Sequence, residues 1–183
     1  MASPWVKFVS FWQYVTGRVE VGGWIKESFS FYELQRIMFK LINSVEVFAG
    51  FSQAELVELL SNAEKCTFQE GATILSEGSC GNFMYILVEG EVEIVKKLDN
   101  GGAKALARLA GGECFGEMAL VDSSVRSASV KAIGPCVLIR LNENGFGLNP
   151  AASAKFYRNI ASQLSGRLRN SNAMISLRLK DDS

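Results

Sequence analysis

A short stretch of the chain, residues 115 to 132, combines residue types that can bind a phosphate group. Gly116 has no Cβ, so the backbone there can approach a ligand closely. A helical turn over residues 117 to 120 would direct free N–H groups at an anion. Arg126 follows after a polar loop, and its guanidinium can donate several hydrogen bonds to the same anion. The spacing predicts a phosphate site between the turn and the arginine.

Glu117 does not fit a site for phosphate alone, because a carboxylate repels an anion. A carboxylate accepts hydrogen bonds, and a ribose hydroxyl supplies a donor. Glu117 therefore indicates a ligand that carries both a phosphate and a ribose. The alternative is that Gly116 is an ordinary turn glycine and Arg126 a surface arginine in an ion pair.

The sequence FGEMALVDSSVRSASVKA from Phe115 to Ala132 resembles the phosphate-binding cassette of the cyclic nucleotide-binding domain family, which holds cAMP or cGMP. The resemblance implies that Glu117 accepts from the ribose 2′-hydroxyl, that Arg126 pairs with the cyclic phosphate, and that Ser127 lies beside phosphate and base. It also implies that the backbone of Gly116 and Ala119 faces the ligand. The ligand-binding residues it predicts are Phe115, Gly116, Glu117, Met118, Ala119, Arg126, Ser127 and Ala128, with no catalytic residue and no metal.

The resemblance extends to the segments FAGFS from Phe48, FQEGATILSEGS from Phe68 and MYILVEGEVEI from Met84. An ordered series of motifs is more specific than a glycine, a glutamate and an arginine alone. One position departs from the family's pattern. Many members have proline before the arginine, where this chain has Val125.

Composition bounds the possible functions. With 183 residues, 48% of them hydrophobic, the chain can bury a core, and its length suits one domain with additional elements. Lys plus Arg and Asp plus Glu number 19 each, so no overall basic charge favours nucleic acid. The apolar stretch from Trp5 to Val15 is too short and too interrupted to span a membrane. We expect a cytoplasmic protein.

The chain contains no histidine. This removes the commonest metal ligand and the commonest general base, so we expect a protein that is not an enzyme and that has no metal or other cofactor. A metal-dependent enzyme of the cupin kind would lack its ligands here. The four cysteines are widely spaced, and we expect them to be buried reduced thiols.

Helices are predicted on both sides of a β-rich region. Apolar residues at helical spacing predict a first helix over residues 3 to 16, which packs on a core or a dimer partner rather than on a membrane surface. Capping boxes predict two more helices, one from Ser30 with Glu33 and one from Ser52 with Glu55, the latter running to about Ala63.

From Cys66 to Leu141 the sequence has short β-type runs separated by glycine-rich turns, which predicts an antiparallel β-roll or jelly roll. We expect the runs 83–88 and 92–95 to form a hairpin across Glu89 and Gly90, and residues 103–109 to add the next antiparallel strand. Lys96, Lys97 and Lys104 are interpreted as a solvated edge that binds no ligand.

Asn149 and Pro150 predict the start of a C-terminal helix over about 150–169 or beyond, which residues 170–172 could interrupt. Its apolar stripe either packs on the β-roll or closes over a bound base. For the second alternative the resemblance implies Leu164 and Leu168 as lid residues. The residues from Asn170 onward are too few for a helix-turn-helix.

The predicted fold is mainly β with flanking helices, divided into an N-terminal helical extension over 1–46 and a cyclic nucleotide-binding domain over 47–183. The function this implies is a sensor that binds cAMP, preferred over cGMP, and signals through its C-terminal helix to an unknown downstream protein. The alternative is a protein-interaction module of the same fold with an empty pocket. The sequence does not decide between a monomer and a homodimer.

Overall fold

The computed structural model describes residues 19–21, 24–27, 31–60, 63–143 and 149–181. The helix predicted over residues 3–16 and the capping residue Ser30 lie outside these ranges. None of the helices within them is long and apolar enough to span a membrane.

The elements follow one another as predicted, with helices before and after a β-rich region. The strands are β1 (Val19–Val21), β2 (Trp24–Glu27), β3 (Glu64–Phe68), β4 (Thr73–Leu75), β5 (Phe83–Glu89), β6 (Glu91–Lys97), β7 (Ala103–Ala110), β8 (Cys114–Phe115), β9 (Ser129–Ala132) and β10 (Cys136–Asn142). The helices are α1 (Phe31–Ser44), α2 (Gln53–Leu60), α3 (Met118–Asp122) and α4 (Pro150–Asp181), with a 3-10 turn at Glu46–Phe48.

The strands form two antiparallel sheets, with the orders β1-β2-β3-β10-β5-β8 and β4-β9-β6-β7. This architecture confirms the mainly β fold with flanking helices. Strand β5 is buried on both of its faces because it lies between two clusters of apolar side chains. Met84, Ile86 and Val88 belong to one cluster, and Tyr85 and Leu87 belong to the other.

The first cluster is formed with the helices. Leu41 of α1, Phe48 of the 3-10 turn and Phe156 of α4 are almost completely buried in it. The helix predicted from Ser30 with Glu33 therefore packs in the core through one apolar face, which includes Ile37, Met38 and Leu41. Helix α1 precedes the predicted domain boundary after residue 46 and packs in this cluster, while the boundary itself stays a prediction.

The predicted hairpin between the runs 83–88 and 92–95 is wrong. Strand β5 pairs with β10 and β8, whereas β6 pairs with β9 and β7, so the chain passes from one sheet to the other at Gly90. Gly90 has a φ of +96°, which suits a hairpin turn and a corner between sheets equally. The apolar run before Gly90 favours the corner. A run that is apolar at successive positions forms a strand buried on both faces, and such a strand lies inside the roll.

The capping interactions at two helices match their sequence signals. The Ser52 N–H donates to Glu55 Oε2 at 2.7 Å, and the Glu55 N–H donates to Ser52 Oγ at 3.2 Å. The Ala152 N–H donates to Asn149 Oδ1 at 3.1 Å. Helix α2 is described only to Leu60, short of the predicted end.

Helix α4 continues to Asp181 without the interruption considered at residues 170–172. Asparagine weakens a helix only modestly, and residues 170–181 include no glycine or proline to end it.

The four cysteines are free thiols, and Cys66, Cys114 and Cys136 are buried as expected. The expectation is wrong for Cys80, which is exposed. Cys80 lies in the polar loop that connects β4 and β5 rather than on a strand.

We expect Gly90→Ala to destabilise the protein more than Gly71→Ala. Both glycines have positive φ, +96° and +77°, so alanine costs roughly 1 kcal/mol at either position. An added Cβ at Gly90 would also lie 2.5 Å from the Pro135 carbonyl oxygen, whereas at Gly71 it would meet nothing within 4 Å. Overpacking should raise the cost at Gly90 to roughly 3 kcal/mol. Urea unfolding measures both; equal losses would contradict the tight corner.

Candidate functional site

The residues predicted from the sequence to bind a ligand come together around one cavity beside α3. Their positions run from the end of β8, through α3, to the loop before β9. All eight line the cavity: Phe115, Gly116, Glu117, Met118, Ala119, Arg126, Ser127 and Ala128. The cavity is also lined by residues that the sequence analysis did not select: Leu75, Ile94, Val125, Val130 and Arg167.

Gly116 lies at the start of the short helix and has the geometry that requires glycine. Its φ is +80°, and an added Cβ would lie 2.9 Å from Arg126 Nη1 and 3.1 Å from Leu75 Cδ1. The Leu120 N–H donates to the Glu117 carbonyl at 3.1 Å, which forms the predicted turn. The backbone at Gly116 and the Arg126 side chain therefore approach each other closely in this site.

Arg126 is only 4% exposed, which is unusual for an arginine. Its Nη1 donates to the Gly116 carbonyl and its Nη2 to the Phe83 carbonyl, both at 2.7 Å. The guanidinium also stacks over the Phe83 ring at 4.5 Å from the ring centroid. Burial lowers the pKa of Arg126. The buried Nε has no hydrogen-bond partner in the described part of the chain, so the cation is incompletely compensated.

Glu117 is 2% exposed and forms an ion pair with Arg167 of α4. Arg167 Nη1 lies 2.5 Å from Glu117 Oε1, and Arg167 Nη2 donates to the Cys114 carbonyl at 2.9 Å. Burial raises the pKa of Glu117, and the positive charge of Arg167 opposes that rise. A buried carboxylate and a buried guanidinium therefore line the same cavity, each with its charge only partly compensated.

The loop that carries Val125 in place of proline is fixed by backbone hydrogen bonds. The Arg126 N–H donates to the Ser79 carbonyl at 2.8 Å, and the Gly78 N–H donates to the Arg126 carbonyl at 2.9 Å. These bonds hold Arg126 in place without the rigidity of proline. Val125 and Ser127 are exposed at the rim of the cavity.

Lys96 is not simply a solvated edge residue. Its Nζ lies 2.7 Å from Glu77 Oε1 and also donates to the Ser127 carbonyl at 2.7 Å. Lys96 therefore ties β6 to the loop that carries Arg126 and Ser127, and it does not line the cavity.

The lid residues implied by the resemblance do not line the cavity in this structure. Leu164 packs against the cluster formed with the helices, and Leu168 is 63% exposed. Their role over a bound base stays a prediction. Among the described side chains of α4, Arg167 lines the cavity. It continues the helical series Phe156, Ile160 and Gln163 at intervals of four, three and four residues. A charged residue on a helix face that packs on the core needs a partner. This pattern could have identified Arg167 from the sequence.

Comparison with known proteins agrees with this geometry. Residues 65–147 match the family described as "Cyclic nucleotide-binding domain". Over these residues the chain is similar to that family. The matched range contains all eight predicted ligand-binding residues.

Two curated relatives of this domain are regulatory proteins. The chain is 34% identical over 95 residues to a cAMP-dependent protein kinase regulatory subunit of Mycosarcoma maydis, covering 52% of this chain and 18% of the relative. It is 29% identical over 131 residues to the cyclic AMP receptor protein of Thermus thermophilus, covering 72% and 61%. The chain thus matches less than two thirds of the length of either relative.

Solved structures show the same fold. The Thermus thermophilus catabolite activator protein superimposes with a TM-score of 0.66 at 29% identity, over 72% of this chain and 62% of that chain. A cyclic nucleotide-binding domain from Methylobacillus flagellatus gives a TM-score of 0.73 at 24% identity, over 84% and 88%. The regulatory subunit of a cAMP-independent protein kinase A from Trypanosoma brucei gives 0.61 at 21%, over 76% and 52%. These proteins and this chain therefore share one fold.

We expect Glu117→Gln not to lower the melting temperature of the ligand-free protein at neutral pH. Because burial raises the pKa of Glu117, the folded protein favours its neutral form more than the unfolded chain does. This preference contributes to the free energy of unfolding. The contribution is fully present below the ordinary glutamate pKa and is lost as pH rises through the raised pKa of Glu117. Glutamine supplies a neutral side chain of the same shape, and Arg167, whose side chain is 37% exposed, can be hydrated instead.

Calorimetry at neutral and acidic pH measures this effect, with the exposed Glu70→Gln as the matched control. The difference between Glu117→Gln and wild type should shrink as pH falls, because Glu117 itself then becomes neutral. A clear loss of melting temperature in Glu117→Gln at neutral pH would show that the charged carboxylate stabilises the fold.

Proposed function

We propose that this protein is a non-catalytic sensor that binds a cyclic nucleotide, cAMP in preference to cGMP, and that α4 responds to occupancy of the cavity. The observation that carries the proposal is the placement of Arg126 and Glu117 on one cavity, separated by the glycine-led turn. An anion partner for Arg126 and a hydroxyl donor for Glu117 are the two groups that a ribose cyclic phosphate offers together.

The chemistry of Arg126 supports an anionic ligand. Within the described residues its fork donates to two neutral carbonyls, of Gly116 and Phe83. Hydrogen bonds between two charged groups are roughly twice as strong as those between neutral groups. A cyclic phosphate at the mouth of the turn would replace one carbonyl acceptor with a charged one and compensate the buried cation.

The preference for cAMP rests on the walls of the cavity and on Ser127. Leu75, Ile94 and Val130 line the cavity with apolar side chains that have no polar group to recognise a base edge. In the family, threonine at the position of Ser127 is associated with cGMP through a hydroxyl that meets the guanine amino group. Ser127 retains the hydroxyl, so we expect the preference for cAMP over cGMP to be modest. The Ser127 Oγ lies 4.0 Å from Met118 Sδ.

A regulatory role in the cytoplasm fits the remaining observations. The relatives are a kinase regulatory subunit and a receptor protein rather than enzymes. The chain has no imidazole to serve as a general base. Its cysteines are free thiols, one of them exposed, which fits a reducing compartment. The proposal includes an unknown downstream protein, and it includes neither nucleic acid nor a resident cofactor.

The alternative function is a protein-interaction module of the same fold that binds no cyclic nucleotide. A protein of the same fold from Trypanosoma brucei is described as the regulatory subunit of a cAMP-independent protein kinase A, and this description supports the alternative. Calorimetric titration of the purified chain with cAMP and with cGMP separates the two functions. Binding of either nucleotide favours the sensor, and binding of neither favours the interaction module.

We expect Arg126→Lys to weaken cAMP binding by roughly tenfold or more, because lysine keeps the charge but cannot donate from a planar fork. Lysine is used instead of alanine because alanine would leave two buried carbonyls without donors. The same titration measures the loss.

Arg140→Lys is the matched control for that experiment. Arg140 also stacks on the Phe83 ring, at 4.0 Å, and pairs with Glu64, but it does not line the cavity. We expect Arg140→Lys to bind cAMP as the wild type does. Equal weakening by both variants would mean that the arginines act only by supporting Phe83, and Arg126 would then not be the phosphate partner.

We expect the wild type to prefer cAMP over cGMP by no more than about tenfold, equivalent to about 1.4 kcal/mol. Ser127→Thr should shift the ratio towards cGMP, because the added methyl restricts the rotation of the hydroxyl and aligns it with the base. Competition of each nucleotide against a fluorescent analogue measures the ratio. Tighter displacement by cGMP in the wild type would overturn the assignment of cAMP.

A further inference from the structure

The ion pair between α4 and the cavity has a consequence for ligand recognition. Arg167 contacts three features at once: the Glu117 carboxylate, the Cys114 carbonyl at the end of β8, and the lining of the cavity. Beside it, Cys114 Sγ donates to Gln163 Oε1 at 3.1 Å. Two neighbouring turns of α4 are therefore joined by hydrogen bonds to the strand that leads into Gly116 and Glu117.

Arg167 is also near the end of the part of α4 that packs on the domain. Phe156 and Ile160 are fully buried, Gln163 and Arg167 are partly buried, and the described side chains that follow, over 168–173 and 175–176, are exposed. The position of the helix end relative to the cavity therefore depends on the contacts of Arg167.

The contact leaves Glu117 able to accept from a ligand. Arg167 binds Oε1 through a single nitrogen, while its second nitrogen is used by the Cys114 carbonyl. Fixing one oxygen restricts the rotation of the carboxylate and so fixes the direction of Oε2. Without the guanidinium, the buried carboxylate would have Arg126 as its remaining nearby positive charge.

We propose that Arg167 is a positioning residue for the ribose hydroxyl: by binding one oxygen of Glu117 it keeps the carboxylate charged and oriented, so that recognition of the hydroxyl depends on the docking of α4. The inference rests on the proposed function, because it assigns the hydroxyl of the bound nucleotide to Glu117. Glu117 would then contact both Arg167 of α4 and the ligand, and so link the helix to the ligand.

The test compares cAMP with 2′-deoxy-cAMP in the full chain. We expect the wild type to bind cAMP roughly tenfold or more tightly than the deoxy compound, because one hydrogen bond to a charged acceptor is lost. In Arg167→Met, binding of cAMP should weaken while binding of 2′-deoxy-cAMP stays nearly unchanged, so the ratio should fall to roughly a third of its wild-type value or less. Arg167→Lys, which keeps a cation, should restore part of the ratio.

Arg169→Met, on the exposed part of the same helix, is the matched control and should keep the wild-type ratio. An equal loss for both nucleotides in Arg167→Met would show that Arg167 only supports the fold, and tighter binding of cAMP would show that it competes with the hydroxyl. Either result overturns the inference while leaving the proposed function intact. Wild-type protein that binds neither nucleotide would defeat the proposed function and the inference with it.

Discussion

The burial of the Glu117 carboxylate is the constraint on which the rest of the site depends. A charge removed from water needs partners, and Glu117 has Arg167 as a direct partner and Arg126 as a second positive neighbour. The two arginines come from different parts of the fold, one from the C-terminal helix and the other from the loop before β9. Charged groups from a helix and a loop therefore lie near one carboxylate in this cavity.

Burial raises the pKa of Glu117, so its surroundings favour the charged carboxylate less than water does. Buried ion pairs contribute little to the free energy of unfolding, since desolvation offsets most of the attraction. The folded core is instead supplied by the two apolar clusters on either side of β5. The cavity therefore contains buried charged side chains, Glu117 and Arg126, which a ligand can compensate.

The sequence predicted the cavity better than it predicted the path of the chain around it. Gly116, Glu117 and Arg126 could be selected because each residue type has a distinct use in binding a ribose phosphate, and their local spacing places them on one turn and loop. The apolar walls could not be selected in the same way, because Leu75 and Ile94 resemble any core residue until the sheets are assembled.

Two failures have the same physical cause, which is that local patterns do not specify long-range contacts. The glycine at position 90 suits a hairpin and a corner equally, so strand pairing had to come from the packing of β5. Arg167 lies 50 residues from Glu117 along the chain, so local spacing did not identify it, whereas Leu164 and Leu168 stay predictions for the lid. The face that α4 presents to the cavity is set by the burial of Phe156 and Ile160.

A crystal structure of the protein grown with cAMP would show where the nucleotide binds. We expect one nucleotide in the cavity beside α3, with its cyclic phosphate within hydrogen-bond distance of the Arg126 guanidinium and its ribose 2′-hydroxyl donating to Glu117. A nucleotide bound elsewhere on the domain, or one whose phosphate contacts neither Arg126 nor the backbone at Gly116, would contradict this expectation.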